Sequence, residues 1–235
     1  MKTIHSVFVA GIAVAALAGC SQSYSQGDSF AASQYSGGER QIEGSGNVVQ
    51  RELAMGDFRR LELNGPMNVE LRQGATPRLV VIAEDNLIDL IEAETSGGTL
   101  SLGTRGSFRT NAGLRGVLTV PSLDEATIKG SGDIDVDGWN AQALALRVMG
   151  SGDNRLRGAV DTVDAHVMGS GDMDLRGASI REATARVNGS GDIRLGSLDR
   201  LVARVAGSGD IDAGEVRSVD QSVNGSGDIR IVSAR

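Results

Sequence analysis

Aromatic side chains are nearly absent from this 235-residue sequence, which holds one Trp, two Tyr and four Phe. Phe8, Tyr24, Phe30 and Tyr35 fall within the first 40 residues, so Phe58, Phe108 and Trp139 are all that remains for the rest. So few rings argue against a cleft that grips sugars between stacked aromatics. Cysteine is limited to Cys20, so no disulfide forms within the chain and stability rests on packing and backbone pairing. Histidine stops at His5 and His166, which leaves no cluster for zinc and no Ser-His-Asp grouping to argue. Positive charge is in deficit, with 23 basic against 30 acidic residues and a net charge of −7. A nucleic-acid partner is held by clusters of Lys and Arg, so that class of partner is excluded. Long apolar runs are missing too: residues 7–19 form an unbroken apolar or small stretch, short of the about 20 residues a membrane-spanning helix needs.

That stretch has a different reading. Lys2 precedes it and Cys20 ends it, and Leu17-Ala18-Gly19-Cys20 has the form of a bacterial lipobox. The expectation is a signal peptide over residues 1–19, cleavage before Cys20, and acylation of that cysteine. Cys20 would then tie the chain to a membrane, stably if more than one acyl chain is attached. Ser21 in the next position favours the outer membrane. Residues 20–40, rich in Ser, Gln and Gly without apolar periodicity, read as a flexible tether.

From about Gln41 the pattern changes to alternation. Leu61, Leu63, Gly65, Met67, Val69 and Leu71 occupy every second position, the period of a half-buried strand. Residues 79–83, 99–102 and 114–120 read as further strands, and residues 84–92 as one short amphipathic helix. The stretch 103–116, with Arg105, Phe108, Arg109 and Arg115, breaks the pattern and reads as a mobile insertion, with contact to an acidic glycan or a partner protein as the competing reading. Pro121 marks the boundary between irregular coils (41–121) and a regular array (122–235).

The array repeats Gly-Ser-Gly-Asp six times, starting at Gly130, Gly150, Gly169, Gly189, Gly207 and Gly225, at steps of 20, 19, 20, 18 and 18 residues. A relic, Gly44-Ser45-Gly46-Asn47, precedes them. Self-similarity at that period marks a solenoid of stacked coils, here over residues 41–235. Apolar alternation runs through each motif, so both of its glycines (Gly130 and Gly132, Gly150 and Gly152, Gly169 and Gly171, Gly189 and Gly191, Gly207 and Gly209, Gly225 and Gly227) are expected to face inward, where a bend or a close approach leaves no room for a Cβ. Asn154 is the one polar residue at an inward position. A Gly-rich phosphate cradle is excluded because no helix follows the motif.

Stacking sets equivalent outward residues about 4.8 Å apart. Asp133, Asp153, Asp172, Asp192, Asp210 and Asp228 then form one acidic column. Two residues on, Asp135, Arg155, Asp174, Arg194, Asp212 and Arg230 alternate in sign, as a ladder of surface ion pairs would. Thr127, Arg147, His166, Arg186, Arg204 and Ser222 form a third, mostly basic column, in which His166 is a solvated neighbour of aspartates. Calcium, bound by some Gly- and Asp-rich repeats, is the competing reading, but the aspartates sit on the other parity and the period differs. No cofactor or metal is expected. Trp139, alone in the array, reads as a packing cap.

The lipobox, the GSGN followed by Gly56-Asp57-Phe58, the Ala83-to-Leu87 segment (Ala-Glu-Asp-Asn-Leu) and the repeated GSGD strands together resemble the bacterial family called putative auto-transporter adhesin, head-GIN domain. The resemblance covers about residues 41–235. It implies an all-β, right-handed, parallel β-helix-like solenoid on the cell surface or in the periplasm, and it brings no catalytic residues. The expected role is a non-enzymatic, lipid-anchored module of the cell envelope that binds a protein or glycan partner or acts as a structural spacer. Two alternatives compete: a carbohydrate-active β-helix enzyme, and an envelope scaffold that self-associates through the ends of the solenoid. Against the first, an active site should break a repeat, whereas the paired carboxylates recur in every coil.

Overall fold

The structure, a computed structural model, describes residues 41–234. The expected signal peptide, the lipidated Cys20 and the tether lie outside the described residues. In the first part the strands are β1 (Ile42–Glu43), β2 (Val48–Leu53), β3 (Arg60–Asn64), β4 (Asn68–Gln73), β5 (Arg78–Glu84), β6 (Ile91–Ser96), β7 (Thr99–Thr104), β8 (Phe108–Arg109) and β9 (Arg115–Val120). The array holds β10 (Glu125–Ile128), β11 (Ile134–Val148), β12 (Asn154–Val167), β13 (Met173–Val187), β14 (Ile193–Leu195), β15 (Leu198–Gly207), β16 (Ile211–Gly225) and β17 (Ile229–Ala234).

From β10 to β15 the strands of the array pair in parallel with the coil before and the coil after them, and β16 and β17 continue the stack, which makes a β-solenoid as the period predicts. Equivalent residues stack in columns. Ile128, Val148, Val167, Val187, Val205 and Val223 follow one another along one wall. Ile134, Asn154, Met173, Ile193, Ile211 and Ile229 do so along the next. From Ile134 to Ile211 the second column is fully enclosed. Burying each aliphatic side chain contributes about 1.5–3 kcal/mol, so the interior columns are the main source of cohesion in a chain without disulfides. The coil bends where the register slips, between Val136 and Trp139 and between Arg155 and Arg157.

The GSGD motif is a corner. β10 ends at Ile128 and β11 begins at Ile134, and an interruption recurs at each copy, shorter at the last two, where β15 and β16 run on to Gly207 and Gly225. The alternation read from the sequence survives the bend, because Ile128, Gly132 and Ile134 are all buried, but the strand itself does not run through the motif.

The first coils are not stacked in chain order. β3 and β4 form a coil whose upper neighbours are β10 and β11 and whose lower neighbours are β7 and β9. The chain therefore lays down residues 60–73, passes beneath them with 99–120, and climbs above them from residue 125. Antiparallel strands close the lower end, β5 on β9, β2 on β5 and β6 on β7. At the upper end residues 218–225 pair with β15 on one side only among the described residues, and Val223 is 46% exposed.

Two local expectations are corrected. The segment 84–92 is no amphipathic helix: it runs from the end of β5 through a turn and a single 3-10 turn, Ile88–Leu90, into β6, and its acidic residues Glu84, Asp85, Asp89 and Glu92 fall in these different elements. The stretch 103–116 is no loose insertion: β8 pairs with β1, the Arg105 amide donates to the Leu90 carbonyl at 3.0 Å, and Arg109 sits 3.7 Å from Glu43.

Candidate functional site

The corners fix the backbone from which the outer face is displayed. A Cβ added at Gly150, Gly169, Gly189, Gly207 or Gly225 would overlap the backbone of the first motif glycine one coil earlier. At Gly152, Gly171, Gly191, Gly209 and Gly227 it would overlap the second, and at Gly130 and Gly132 it would meet Gly65 and Met67. The second glycine of each motif is buried, and what leaves no room for a Cβ is the close approach of successive coils. The glycines' missing side chains point along the stack, into the preceding coil, and only backbone fits between successive corners. Gly65-Pro66-Met67-Asn68 is the equivalent corner of the 60–73 coil, although it lacks the motif.

The motif aspartates are joined through the backbone. The amide of Asp153 donates to Asp133 Oδ1 at 2.8 Å, and Asp172, Asp192, Asp210 and Asp228 repeat the bond at 2.8–2.9 Å, each to the aspartate one coil below. The chain of bonds starts at Asn68, whose Oδ1 accepts from the Asp133 amide at 3.1 Å. Each carboxylate except that of Asp228 satisfies a corner N–H that has no strand partner, so the acidic column is a set of caps. Arginines at alternate coils complete it. Arg194 donates to Asp172 at 2.9 Å and to Asp192 at 2.8 Å, and Arg230 to Asp210 at 2.7 Å and Asp228 at 2.8 Å. The N–H of Asp228, then Arg230, holds the Asp210 carboxyl below its usual range.

The register sets Asp135, Arg155, Asp174, Arg194, Asp212 and Arg230 side by side, yet they do not form one uniform ladder. Arg155 reaches Asp135 at 3.4 Å and Arg230 reaches Asp212 at 3.5 Å, whereas Arg194 turns to the motif aspartates. Asp174 is taken by Arg176 at 2.7 Å, which lowers its pKa to about 2. An arginine gains more by bridging two carboxylates than by meeting one, and that preference redirects the alternation sideways. Among the described residues no group of three or more His, Cys, Asp or Glu side chains is placed to hold a metal ion.

The basic column stacks as Thr127, Arg147, His166, Arg186, Arg204 and Ser222. Arg186 pairs with Asp164 at 2.8 Å and Arg204 with Asp220 at 2.6 Å. Arg147 lies 3.3 Å from Glu125 and 3.6 Å from Asp164. His166 lies between Arg147 and Arg186 and meets Asn188 at 3.0 Å. Partial burial, then Arg147 and Arg186, depress its pKa below 6.5, while Asp164 opposes them. A depressed folded value means that the unfolded chain takes up the proton first. Stability is therefore expected to fall as pH drops through about 6.5 and to level off below the folded value. Thermal melts over about pH 5–8 should show this slope, and His166→Gln should remove it; an unchanged slope in the variant assigns the effect to other groups.

Trp139 is fully enclosed in the core, where the coil bends after Gly138, and is not offered to a ligand. The outer face instead carries a groove of about 420 Å³ that crosses four coils. Each coil lines it with three consecutive residues: Ala159-Val160-Asp161, Ser179-Ile180-Arg181, Ser197-Leu198-Asp199 and Glu215-Val216-Arg217. Val160 pairs with Ile180 and Leu198 with Val216, so Asp161, Arg181, Asp199 and Arg217 follow one another along the stack. This second column of alternating sign was not singled out from the sequence, although its residues recur at the coil period. Ala159, Ser179 and Ser197 flank it in three of the coils and Glu215 in the fourth.

The lower end carries another polar constellation. The relic GSGN is not a coil corner. Its Gly46 amide donates to the buried Glu84 carboxylate at 3.0 Å, its Ser45 amide to Asn86 at 2.9 Å, and Asn47 Nδ2 to Asp85 at 2.8 Å. Hydrogen bonds from Ser45 and then Asn47 lower the Asp85 pKa. A Cβ at Gly44 would overlap the Glu84 carboxylate. The GSGN and the Ala83-to-Leu87 segment are thus two halves of one clamp that closes the solenoid below.

The family model described as putative auto-transporter adhesin, head GIN domain, matches residues 57–234. The chain belongs to this family. Head GIN membership puts it among adhesin-like proteins of the cell envelope. No protein of curated function matches the sequence. Among solved structures, a putative adhesin from Bacteroides fragilis superimposes with a TM-score of 0.68 at 22% identity, covering 81% of this chain and 99% of its own. A putative lipid binding protein from Parabacteroides distasonis gives a TM-score of 0.51 at 22% identity, covering 83% of this chain and 100% of its own. At that identity the likeness concerns the fold, and it extends over nearly the whole of each relative.

Proposed function

We propose that this head GIN protein is a lipid-anchored module of the cell envelope whose solenoid binds a surface partner without catalysing a reaction. The groove across four coils is the observation that carries this reading. Its lining repeats from coil to coil, as suits an extended partner; a catalytic centre needs one unrepeated convergence of groups. Family membership supports a place in the envelope, and the lipobox ending at Cys20 supports an acyl anchor. The test is protease shaving of intact cells combined with attachment assays on cells lacking the protein or carrying Ser179→Trp, which fills the groove. Shaving should release the domain, and both strains should attach less. Protection from protease together with unchanged attachment would sink the proposal.

A further inference from the structure

The groove has a period in charge as well as in shape. One coil rises about 4.8 Å, so Arg181 and Arg217, two coils apart, recur at about 10 Å, with Asp199 between them and Asp161 below. Arg181 and Arg217 have largely exposed side chains, and their ion-pair partners, Glu182 and Asp199, are themselves accessible. No ion pair of Asp161 is found among the described residues. Ser179 and Ser197 supply hydroxyls, the oxygen of Ser197 also accepting from the Glu215 amide at 3.1 Å, Glu215 adds a third carboxylate beside Arg217, and Val160, Ile180, Leu198 and Val216 are nearly or wholly buried. The floor is therefore rigid, since its residues belong to the stacked interior.

A β-linked pyranose unit is about as long as one coil is tall, about 4.8 Å. A linear glycan laid along the stack then places one sugar over each coil and one disaccharide over each pair. We infer that the groove binds an acidic glycan of disaccharide repeat, with carboxylates recurring at every second sugar. Two of them lie against Arg181 and Arg217, whose planar guanidinium groups match a carboxylate in two-point geometry. Asp161 and Asp199 accept hydrogen bonds from hydroxyls of the intervening sugars, and their charge rejects a carboxylate misplaced by one coil. Recognition runs through charge and hydroxyl groups, which fits a chain with no aromatic ring in the groove.

This inference rests on the surface-binding reading and names its partner. The full chain carrying Cys20→Ser is titrated calorimetrically with hyaluronan oligosaccharides and, in parallel, with neutral chitin oligosaccharides of the same length. Affinity for hyaluronan is expected to rise from the disaccharide to the tetrasaccharide and then to level off, because four coils hold four sugars. Arg181→Glu is expected to weaken binding by about 10-fold or more, and binding is expected to fall steeply with salt. Circular dichroism melts identify any variant that fails to fold, and Arg217→Glu then supplies the same test at the second arginine. Equal binding of neutral and acidic oligosaccharides, no dependence on length, or full binding by both folded variants would overturn the inference. Loss of attachment by the Ser179→Trp strain without any glycan binding would leave the surface-binding reading standing and point to an extended protein partner, which also overturns it.

Discussion

Gly171→Ala is expected to lower the unfolding free energy by about 3 kcal/mol or more. The new methyl group would fall on the carbonyl of Gly152, which belongs to the backbone of the coil below and has nowhere to go. Relief requires either that the two coils separate at that corner or that the corner rotate. Both movements break bonds on each side: the Ser170 amide donates to the Gly150 carbonyl at 3.0 Å, and the Asp172 amide to Asp153 at 2.9 Å. A suitable control is Gly116→Ala, which adds the same methyl where the nearest atoms are side-chain atoms of Val69, Met67 and Leu79 at ordinary contact distances of 3.6–3.8 Å. That substitution should change stability by less than about 1 kcal/mol. Urea unfolding followed by far-ultraviolet circular dichroism gives both values. Similar small losses at the two sites would mean that neighbouring coils part easily enough to admit a side chain.

Asn154→Ile is expected to act in the opposite direction and raise stability by about 1–3 kcal/mol. Asn154 is fully buried, and neither its amide nitrogen nor its carbonyl oxygen has a hydrogen-bond partner. An amide withdrawn from water without compensation is a standing cost, since water would have satisfied both atoms. The column it occupies runs Ile134, Asn154, Met173, Ile193, Ile211, and Ile193 fits between Met173 and Ile211 one step along the same wall. An isoleucine at 154 therefore meets neighbours of the kind that already accept one. A thermal melt showing a midpoint several degrees higher is the expected result. A lower midpoint would mean that the first full coil is too tight for the extra volume, or that the amide finds partners in solution.

The stack and its interior columns were legible because one period governs them: apolar residues recur at the coil length and at alternate positions between corners. The orientation of the motif glycines was not. Sequence parity tells whether a residue lies on the inner or outer side, but at a corner the Cα–Cβ direction turns along the axis, and parity has no symbol for that direction. The 60–73 coil shows the same limit from another side. Its alternation through Gly65 and Met67 was visible, but Gly-Pro-Met-Asn does not spell the motif, so nothing marked it as a corner. That residues 99–120 slip beneath it was hidden altogether, because order along the chain is the only order a sequence displays. For the outer face, the aspartate columns could be read from the motif, whereas Asp161, Arg181, Asp199 and Arg217 lie far from any motif letter. Only their shared period could have drawn attention to the groove. Glu84 illustrates a different gap: a buried carboxylate gives no local signal, and its meaning comes from Gly46 and Thr110, both distant in the chain.

The alternation of sign on two walls has a bearing on how such a chain can change length. Asp135, Arg155, Asp174, Arg194, Asp212 and Arg230 repeat only after two coils, and so do Asp161, Arg181, Asp199 and Arg217. A duplication that added one coil would preserve every interior column and every corner, yet it would bring arginine beside arginine or aspartate beside aspartate on both walls at once. Like charges on adjacent rungs repel. The smallest segment that the array can gain or lose without this conflict is a pair of coils, so the heritable unit of this protein is twice the size of its structural one.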